Sequence, residues 1–159
     1  MPCQDRAGAA QPRVLVLDLD VADRQALFTA VSGRLLAESL VRPGYPQALE
    51  RREQEYPTGL DLVDRAVAIP HTDDEHVAAP GLVLARTARP TVFRAMDDPE
   101  RPLDVRLSLF PLMTDPRQQT DMLGAAIALL VDAEAYQDLL TGSPEEAMGR
   151  LTGLVSTLA

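Results

Sequence analysis

The chain has 159 residues, which is enough for one domain, and hydrophobic and charged fractions of 46% and 25% that are ordinary for a globular protein. A net charge of −9 argues against a nucleic-acid partner, because phosphate backbones require a basic protein surface. Since no apolar leader and no run of eighteen apolar residues occurs, we expect a soluble, cytoplasmic protein without membrane insertion.

The N-terminal residues predict a tail ahead of a single folded domain. Residues 1–12 are typical of a flexible tail, and no linker, repeat or low-complexity region interrupts residues 13–159. The only cysteine, Cys3, lies in this tail, so neither an intrachain disulfide nor a Cys/His metal cluster can form.

The first folded segments predict one strand and two helices. Residues 14–17 are a short strand candidate, and Asp20 is a candidate N-cap for a helix that ends near Leu40. A second helix is predicted to begin at Tyr45, because the proline that follows is tolerated in the first turn, and to end before Pro57.

Strand signals dominate the middle of the chain. Thr58 and Gly59 indicate a turn, and the short strand candidates that follow are residues 67–69, 82–85 and 91–93. Residues 103–109 alternate apolar and polar side chains, which predicts a half-buried strand.

Helix signals return in the last third. Asp115 and Ser143 each precede a proline and the start of a helical pattern, so both are predicted N-caps. Together these elements predict an α/β fold, a single-domain sandwich with a mixed β-sheet flanked by helices on both faces. Aromatic residues make up only 4% of the chain, so we expect an aliphatic core.

Both histidines follow one short apolar strand. Residues 67–71 (VAIPH) predict a buried strand that presents the imidazole of His71 at its exposed end. Imidazole is largely neutral and nucleophilic at cellular pH, although a lone histidine at a strand end is more often structural. The acidic residues 73–75 lie between His71 and His76 and look like a cation site, but such loops are usually solvated. We therefore expect no metal and no cofactor.

Several segments in this order resemble the IIA components of the bacterial phosphoenolpyruvate-dependent sugar phosphotransferase system, fructose/mannitol type. The resemblance covers the chain from about Val14 onward, and residues 75–77 (EHV) look most like the galactitol-type members. The segments that carry it are 52–53 (RE), 56–60 (YPTGL), 67–72 (VAIPHT), 90–93 (PTVF), 96–97 (MD), 104–107 (DVRL), and Gln119 with 122–123 (ML).

The resemblance implies a phosphotransferase with a phosphohistidine intermediate. His71 would accept a phosphoryl group from phospho-HPr and pass it to a cysteine of a IIB component, which serves a membrane-embedded IIC component in sugar or polyol uptake. Arg52 falls where the family has an arginine beside the phosphohistidine. Gln119 falls where mannitol-type members often have a second histidine, so either Gln119 or His76 is expected to assist His71.

The proposed chemistry places requirements on the site. One imidazole nitrogen of His71 must be held as N–H so that the other keeps its lone pair. Phosphate oxygens need donors, which Arg52 and the hydroxyl groups of Thr58 or Thr72 can supply. Basic residues are also expected to surround the docking face for an acidic carrier protein, and the candidates are Arg52, Arg86 and Arg117.

Two other functions fit the same residues. In the first, phosphorylation of His71 reports nutrient state to a regulator and no sugar is transported. In the second, the His/Asp residues form a metal hydrolase, which predicts bound metal in the purified protein. The sequence identifies neither the sugar nor the oligomeric state.

Overall fold

The computed structural model describes residues 11–157, in which five strands form one sheet between two groups of helices. Residues 1–10 of the predicted tail, including Cys3, lie outside the described residues, and the boundary after residue 12 stays a prediction. No helix within the described range is both long enough and apolar enough to span a bilayer.

Within residues 11–157, the chain forms one strand, two helices, four strands and then three helices. The strands are β1 (Arg13–Leu19), β2 (Gly59–Asp61), β3 (Ala66–Ala68), β4 (Gly81–Ala95) and β5 (Asp98–Leu112). The helices are α1 (Arg24–Ala37), α2 (Tyr45–Glu55), α3 (Gln119–Val131), α4 (Ala133–Thr141) and α5 (Pro144–Thr157). Short 3₁₀ turns span Asp74–His76 and Pro116–Gln118.

The sheet is mixed because parallel and antiparallel pairings alternate in it. β4 and β5 form a long antiparallel hairpin, and β1 lies parallel to the first half of β4. On the other side, β3 lies parallel to β5, with Ala68 opposite Ser108, and β2 is antiparallel to β3. This pairing fixes the end of β3, where His71 follows.

Helices cover both faces of the sheet, as predicted. On the face of α1 and α2, the ring of Phe28 contacts Phe93 and Phe110 at centroid distances of 6.0 and 5.9 Å. On the face of α3, α4 and α5 the buried core is aliphatic, with Leu130, Leu139 and Leu151 at its centre. The core is thus mainly aliphatic on both faces, as expected, and the face of α1 and α2 adds a small group of aromatic rings.

The boundaries of α1 differ from the prediction at both ends. Asp23, not Asp20, is the N-cap, because its carboxylate accepts the backbone N–H of Ala26 at 2.8 Å. The helix ends at Ala37, before the predicted Leu40. There Ser39 takes a positive φ of 58°, and the N–H of Leu40 turns back to the carbonyl of Leu35 at 2.9 Å.

Two expectations for the middle of the chain are wrong. Gly59 opens β2 instead of forming a turn, because the strand comes so close to β4 that a Cβ at this position would lie 2.4 Å from the carbonyl oxygen of Arg94. The two short strands predicted at residues 82–85 and 91–93 are parts of one strand, β4, whose pairing with β5 shifts register between Arg86 and Thr91.

The predicted caps in the last third are present. The carboxylate of Asp115 accepts the N–H of Arg117 at 2.9 Å, but the first turn is 3₁₀ and α3 begins only at Gln119. Ser143 caps α5 by accepting the N–H of Glu146 at 3.1 Å. The sequence did not single out α4, which Asp132 caps through the N–H of Ala135 at 3.0 Å.

Candidate functional site

His71 lies three residues beyond the end of β3. Just before it, the N–H of Ile69 extends the pairing with the β2 segment by donating to the carbonyl of Thr58 at 3.4 Å. The residue is only 6% exposed, so it is more buried than the exposed strand end that we expected. The reason is that the imidazole ring folds back over its own strand and does not project into solvent.

The fold-back fixes the tautomer of His71. Its Nδ1 lies 2.8 Å from the carbonyl oxygen of Ile69. Since a carbonyl oxygen can only accept a hydrogen bond, Nδ1 must carry the proton, and Nε2 keeps the lone pair. Nε2 makes no hydrogen bond to any residue in the 11–157 range. One nitrogen is therefore held as a donor and the other is left as a nucleophile.

The surroundings of His71 favour the neutral ring. Burial is the main cause that lowers the pKa of His71, and the nearby Arg52 guanidinium lowers it further. The bond to Ile69 and the carboxylate of Asp73 act in the opposite direction but do not prevail. The lone pair on Nε2 is thus available at cellular pH.

A cleft with a volume of about 320 Å³ lies between α2 and the segment that follows His71. It brings together three of the residues predicted from the sequence, which are Arg52, Thr72 and His76. Its full lining is Ala48, Arg51, Arg52, Glu55, Thr72, Asp73, Glu75 and His76. Most of these side chains are polar or charged, with three carboxylates beside two guanidinium groups and one imidazole, and His71 is not among them.

The Arg52 guanidinium lines this cleft without a hydrogen bond to any of the described residues. Its nearest carboxylate oxygen, on Asp73, is 3.8 Å from one terminal nitrogen, which is too long for a good hydrogen bond. Its Nε is buried without a partner among the described residues. The group is held in place by stacking over the ring of Tyr56, 4.9 Å from the centroid. Arg52 is therefore positioned in a loose ion pair with Asp73 that leaves its hydrogen-bond donors unused.

His76 is held by the loop between α1 and α2. Its backbone carbonyl accepts the N–H of Arg42 at 2.9 Å, and its ring packs so closely on Gly44 that an added Cβ there would lie 3.3 Å from Nδ1. The other ring nitrogen, Nε2, is 3.5 Å from a carboxylate oxygen of Glu75. The imidazole thus faces the cleft in a defined orientation.

The remaining predicted site residues differ in position. The hydroxyl of Thr72 donates to the carbonyl of Asp73 at 3.0 Å, at the edge of the cleft. Thr58 is buried and does not line the cleft, and its hydroxyl proton is bonded to a carboxylate oxygen of Glu53 at 2.8 Å. Gln119 begins α3, half-buried, and is also outside the cleft lining.

Sequence reasoning missed the role of Glu53 as a buried group. Glu53 is only 2% exposed, and burial raises the pKa of its carboxyl group, although the hydrogen bonds from Thr58 partly offset this. The available signal was spacing, since Glu53 follows the buried Leu49 by four residues and so lies on the inner face of α2.

The expected group of basic residues at a docking face is wrong for Arg86. Arg86 is 8% exposed, and its guanidinium is bonded to both carboxylate oxygens of Asp18 at 2.6 and 3.0 Å. It also donates to the carbonyls of Leu139 and Gly142 at the end of α4. Arg117 is exposed but paired with Asp115 at 3.0 Å.

Residues 11–157 contain no group of three or more histidine, cysteine or acidic residues placed to hold a metal ion.

The sequence is similar to a known family over nearly its whole length. Residues 10–152 match the family described as "Phosphoenolpyruvate-dependent sugar phosphotransferase system, EIIA 2". The galactitol-specific EIIA component of the PTS system of Escherichia coli strain K12 is 35% identical over 91 residues. That alignment covers 57% of this chain and 59% of the relative, so the chain matches little more than half of that protein.

Solved structures share the fold. One is the complex of enzyme IIAMTL with phosphorylated enzyme IIBMTL from Escherichia coli, with a TM-score of 0.68 and 22% identity, covering 87% of this chain and 94% of that one. Another is the nitrogen regulatory protein IIA-Ntr from Neisseria meningitidis, with a TM-score of 0.67 and 24% identity, covering 86% and 92%. At these identities the likeness establishes the fold and leaves the function to the site.

Proposed function

Because the chain belongs to the EIIA 2 family of the phosphoenolpyruvate-dependent sugar phosphotransferase system, we propose that it is a cytoplasmic phosphocarrier subunit with His71 as the phosphoryl acceptor. The donor is phospho-HPr, and the recipient is a cysteine of a IIB component that works with a membrane IIC component. The observation that carries the proposal is the bond from Nδ1 of His71 to the carbonyl of Ile69, which leaves Nε2 as the nucleophile.

Each transfer is a displacement at phosphorus. The lone pair of Nε2 attacks the phosphorus of the donor phosphohistidine, the new N–P bond forms, and the old N–P bond breaks with its electron pair returning to the donor imidazole. In the second step a cysteine thiolate attacks, and the electron pair of the P–N bond returns to Nε2. The proton on Nδ1 stays in place throughout, and nothing is oxidised or reduced.

We assign the phosphate contacts to the cleft residues. Arg52 supplies a guanidinium that is only loosely ion-paired with Asp73, and His76 supplies a ring nitrogen in the same cleft. The Thr72 hydroxyl would have to turn away from the carbonyl of Asp73 to donate to phosphate. Thr58 is buried and outside the cleft lining, so it is not assigned a phosphate contact. Gln119 opens α3 outside the cleft, so its assistance to His71 stays a prediction for mutagenesis.

Transport is favoured over the regulatory alternative by one observation. The curated relative at 35% identity is named as a galactitol-specific component, whereas the nitrogen regulatory protein shares only the fold. We therefore propose sugar or polyol uptake first, and a module that signals nutrient state as the second candidate.

The test is reconstitution with phosphoenolpyruvate, enzyme I and HPr. We expect one phosphate per chain, labile in acid and stable in base, which His71→Ala abolishes and His76→Ala does not. Labelling of His71→Ala at the wild-type rate would refute the assignment. Adding a purified IIB component then separates the two candidates, since transport requires passage of the label to its cysteine.

A further inference from the structure

We propose that Glu53 is a positioning residue that, through Thr58 and Ile69, sets the tautomer of His71. The inference rests on the proposed role of His71 as phosphoryl acceptor and adds to it the group that keeps Nε2 unprotonated. It follows from a continuous series of hydrogen bonds that begins on α2 and ends on the imidazole.

The first link clamps Thr58 to α2. One carboxylate oxygen of Glu53 accepts the backbone N–H of Thr58 at 2.7 Å, and the other accepts its hydroxyl at 2.8 Å. Both bonds are buried, and both go to the same residue. A carboxylate bonded in this two-point manner fixes its partner in position and orientation.

The second link passes from Thr58 to His71. Thr58 immediately precedes β2, and its carbonyl accepts the N–H of Ile69 at 3.4 Å, one position beyond the Gly59–Ala68 pair of the sheet. The carbonyl of Ile69 then accepts the Nδ1–H of His71 at 2.8 Å. The first of these bonds is long, so it is the link in the series that is most easily lost when Thr58 is released.

The cost of the clamp argues that it serves more than packing. Glu53 is 2% exposed and forms no ion pair with the described residues, so its carboxylate loses hydration without a compensating cation in contact. Burial accordingly raises the pKa of this carboxyl group. Neutral apolar side chains fill most of the buried positions around it, and they avoid this cost.

Loss of the clamp has a specific chemical consequence. When Thr58 relaxes, the N–H of Ile69 loses its acceptor and the backbone torsions at Ile69 can change. The carbonyl of Ile69 then moves, and Nδ1–H of His71 loses the acceptor that selects it. A neutral imidazole without that acceptor also populates the form with the proton on Nε2. In that form the lone pair needed for attack on phosphorus is absent from Nε2.

The chain offers a graded set of variants. Glu53→Leu removes both acceptors, Thr58→Val removes only the hydroxyl, and Glu53→Gln keeps both bonds if the Thr58 hydroxyl reverses to accept from the amide. The matched control is Thr91→Val. Thr91 is buried like Thr58, but its hydroxyl donates to the backbone carbonyl of Val105 at 3.2 Å, on the β4–β5 hairpin.

Two readouts are needed. Imidazole ¹⁵N chemical shifts of the free protein at neutral pH report the tautomer of His71, and single-turnover labelling by phospho-HPr reports its rate. We expect Glu53→Leu to populate the Nε2–H tautomer and to slow labelling by about tenfold or more. We expect Thr58→Val to have smaller effects on both the tautomer and the labelling rate. Glu53→Gln should restore both readouts, and Thr91→Val should change neither while lowering the melting temperature.

A folded Glu53→Leu variant with wild-type ¹⁵N shifts overturns the inference. If Glu53→Leu does not fold, the ¹⁵N shifts of His71 are measured in Thr58→Val instead. Wild-type shifts in Thr58→Val would also overturn the inference. The ¹⁵N measurement needs no phosphate donor. A wild-type protein that holds the Nδ1–H tautomer but is never labelled would therefore count against the proposed function and not against the role of Glu53.

Discussion

Arg52 and Tyr56 are four residues apart at the end of α2, and the guanidinium of the first lies 4.9 Å from the ring centroid of the second. Tyr56 is 62% exposed, so its ring contributes little to the core and its main contact is with this cation. The pair thus places a charged group at the edge of the cleft without consuming its hydrogen-bond donors.

Removing the ring should therefore affect labelling more than folding. We expect Tyr56→Leu to slow phosphoryl acceptance about two- to fivefold, which corresponds to the roughly 0.5–1 kcal/mol of an exposed cation–π contact. The matched control is Tyr136→Leu, which breaks the equivalent stack with Arg65, 4.8 Å from its ring, away from the cleft. Equal rates in the two variants would show that the Tyr56 ring does not position Arg52.

The pH dependence follows from the lowered pKa of His71. Burial, the main cause, keeps the ring neutral below the ordinary value of about 6.5, so labelling should keep its plateau rate as the pH falls through that value. The pKa of His71 is about 6.5 in the unfolded chain and lower in the folded protein. At a pH between these two values the unfolded chain binds more protons than the folded one. The free energy of unfolding should therefore decrease as the pH falls below about 6.5.

An NMR titration of the His71 ring measures the pKa directly. Arg52→Gln should raise the pKa of His71, because the guanidinium is a secondary cause of the lowering, but burial should still keep it below the ordinary value. A wild-type ring that titrates at or above 6.5 would contradict this account.

The identity of the assisting residue can be decided by comparison. His76 faces the cleft with Arg52 and Gln119 does not, so we expect His76→Ala to slow labelling at least tenfold and Gln119→Ala by less than about threefold. Gln118→Ala controls for disturbance at the start of α3. A larger loss in Gln119→Ala than in His76→Ala would transfer the role to the glutamine.

Gly59 should be intolerant of any side chain. A Cβ there would lie 2.4 Å from the carbonyl oxygen of Arg94, so we expect Gly59→Ala to lower the free energy of unfolding by about 1–3 kcal/mol. Gly33→Ala is the control, because nothing lies within 4 Å of its added Cβ and a helical alanine should stabilise by about 0.5–1 kcal/mol. Urea unfolding curves measure both, and a stable Gly59→Ala would be inconsistent with this contact.

The sequence was sufficient for the architecture because its strongest signals are local. Apolar periodicity and the caps at Asp115 and Ser143 located the elements that carry the sheet and its cover. The failures arise where two residues compete locally, as Asp20 and Asp23 do for the N-cap of α1. They also arise because a glycine can indicate either a turn or a strand that lies too close to its neighbour for a side chain. Gly59 is of the second kind.

The site was predicted only in part because its contacts join distant segments. The resemblance predicted His71, Arg52 and either Gln119 or His76 as site residues. Arg52 and His76 line the same cleft, and Gln119 does not. It could not show that Arg86 stands opposite Asp18 across the β1–β4 pair, which removes it from the surface. Likewise, the carboxylate of Glu53 meets Thr58 only after α2 and β2 have packed.

The recessed position of His71, with 6% of its surface open to solvent, restricts the shape of any partner in the proposed phosphoryl exchange. A nucleophile can reach a phosphoryl group in such a recess only if it projects from its own protein, whereas a flat or concave surface would stop short. The same walls restrict the approach of bulk water, so spontaneous hydrolysis should be slow compared with exchange. If His71 is phosphorylated as proposed, the phosphoryl group should therefore stay on the ring until a partner protein removes it.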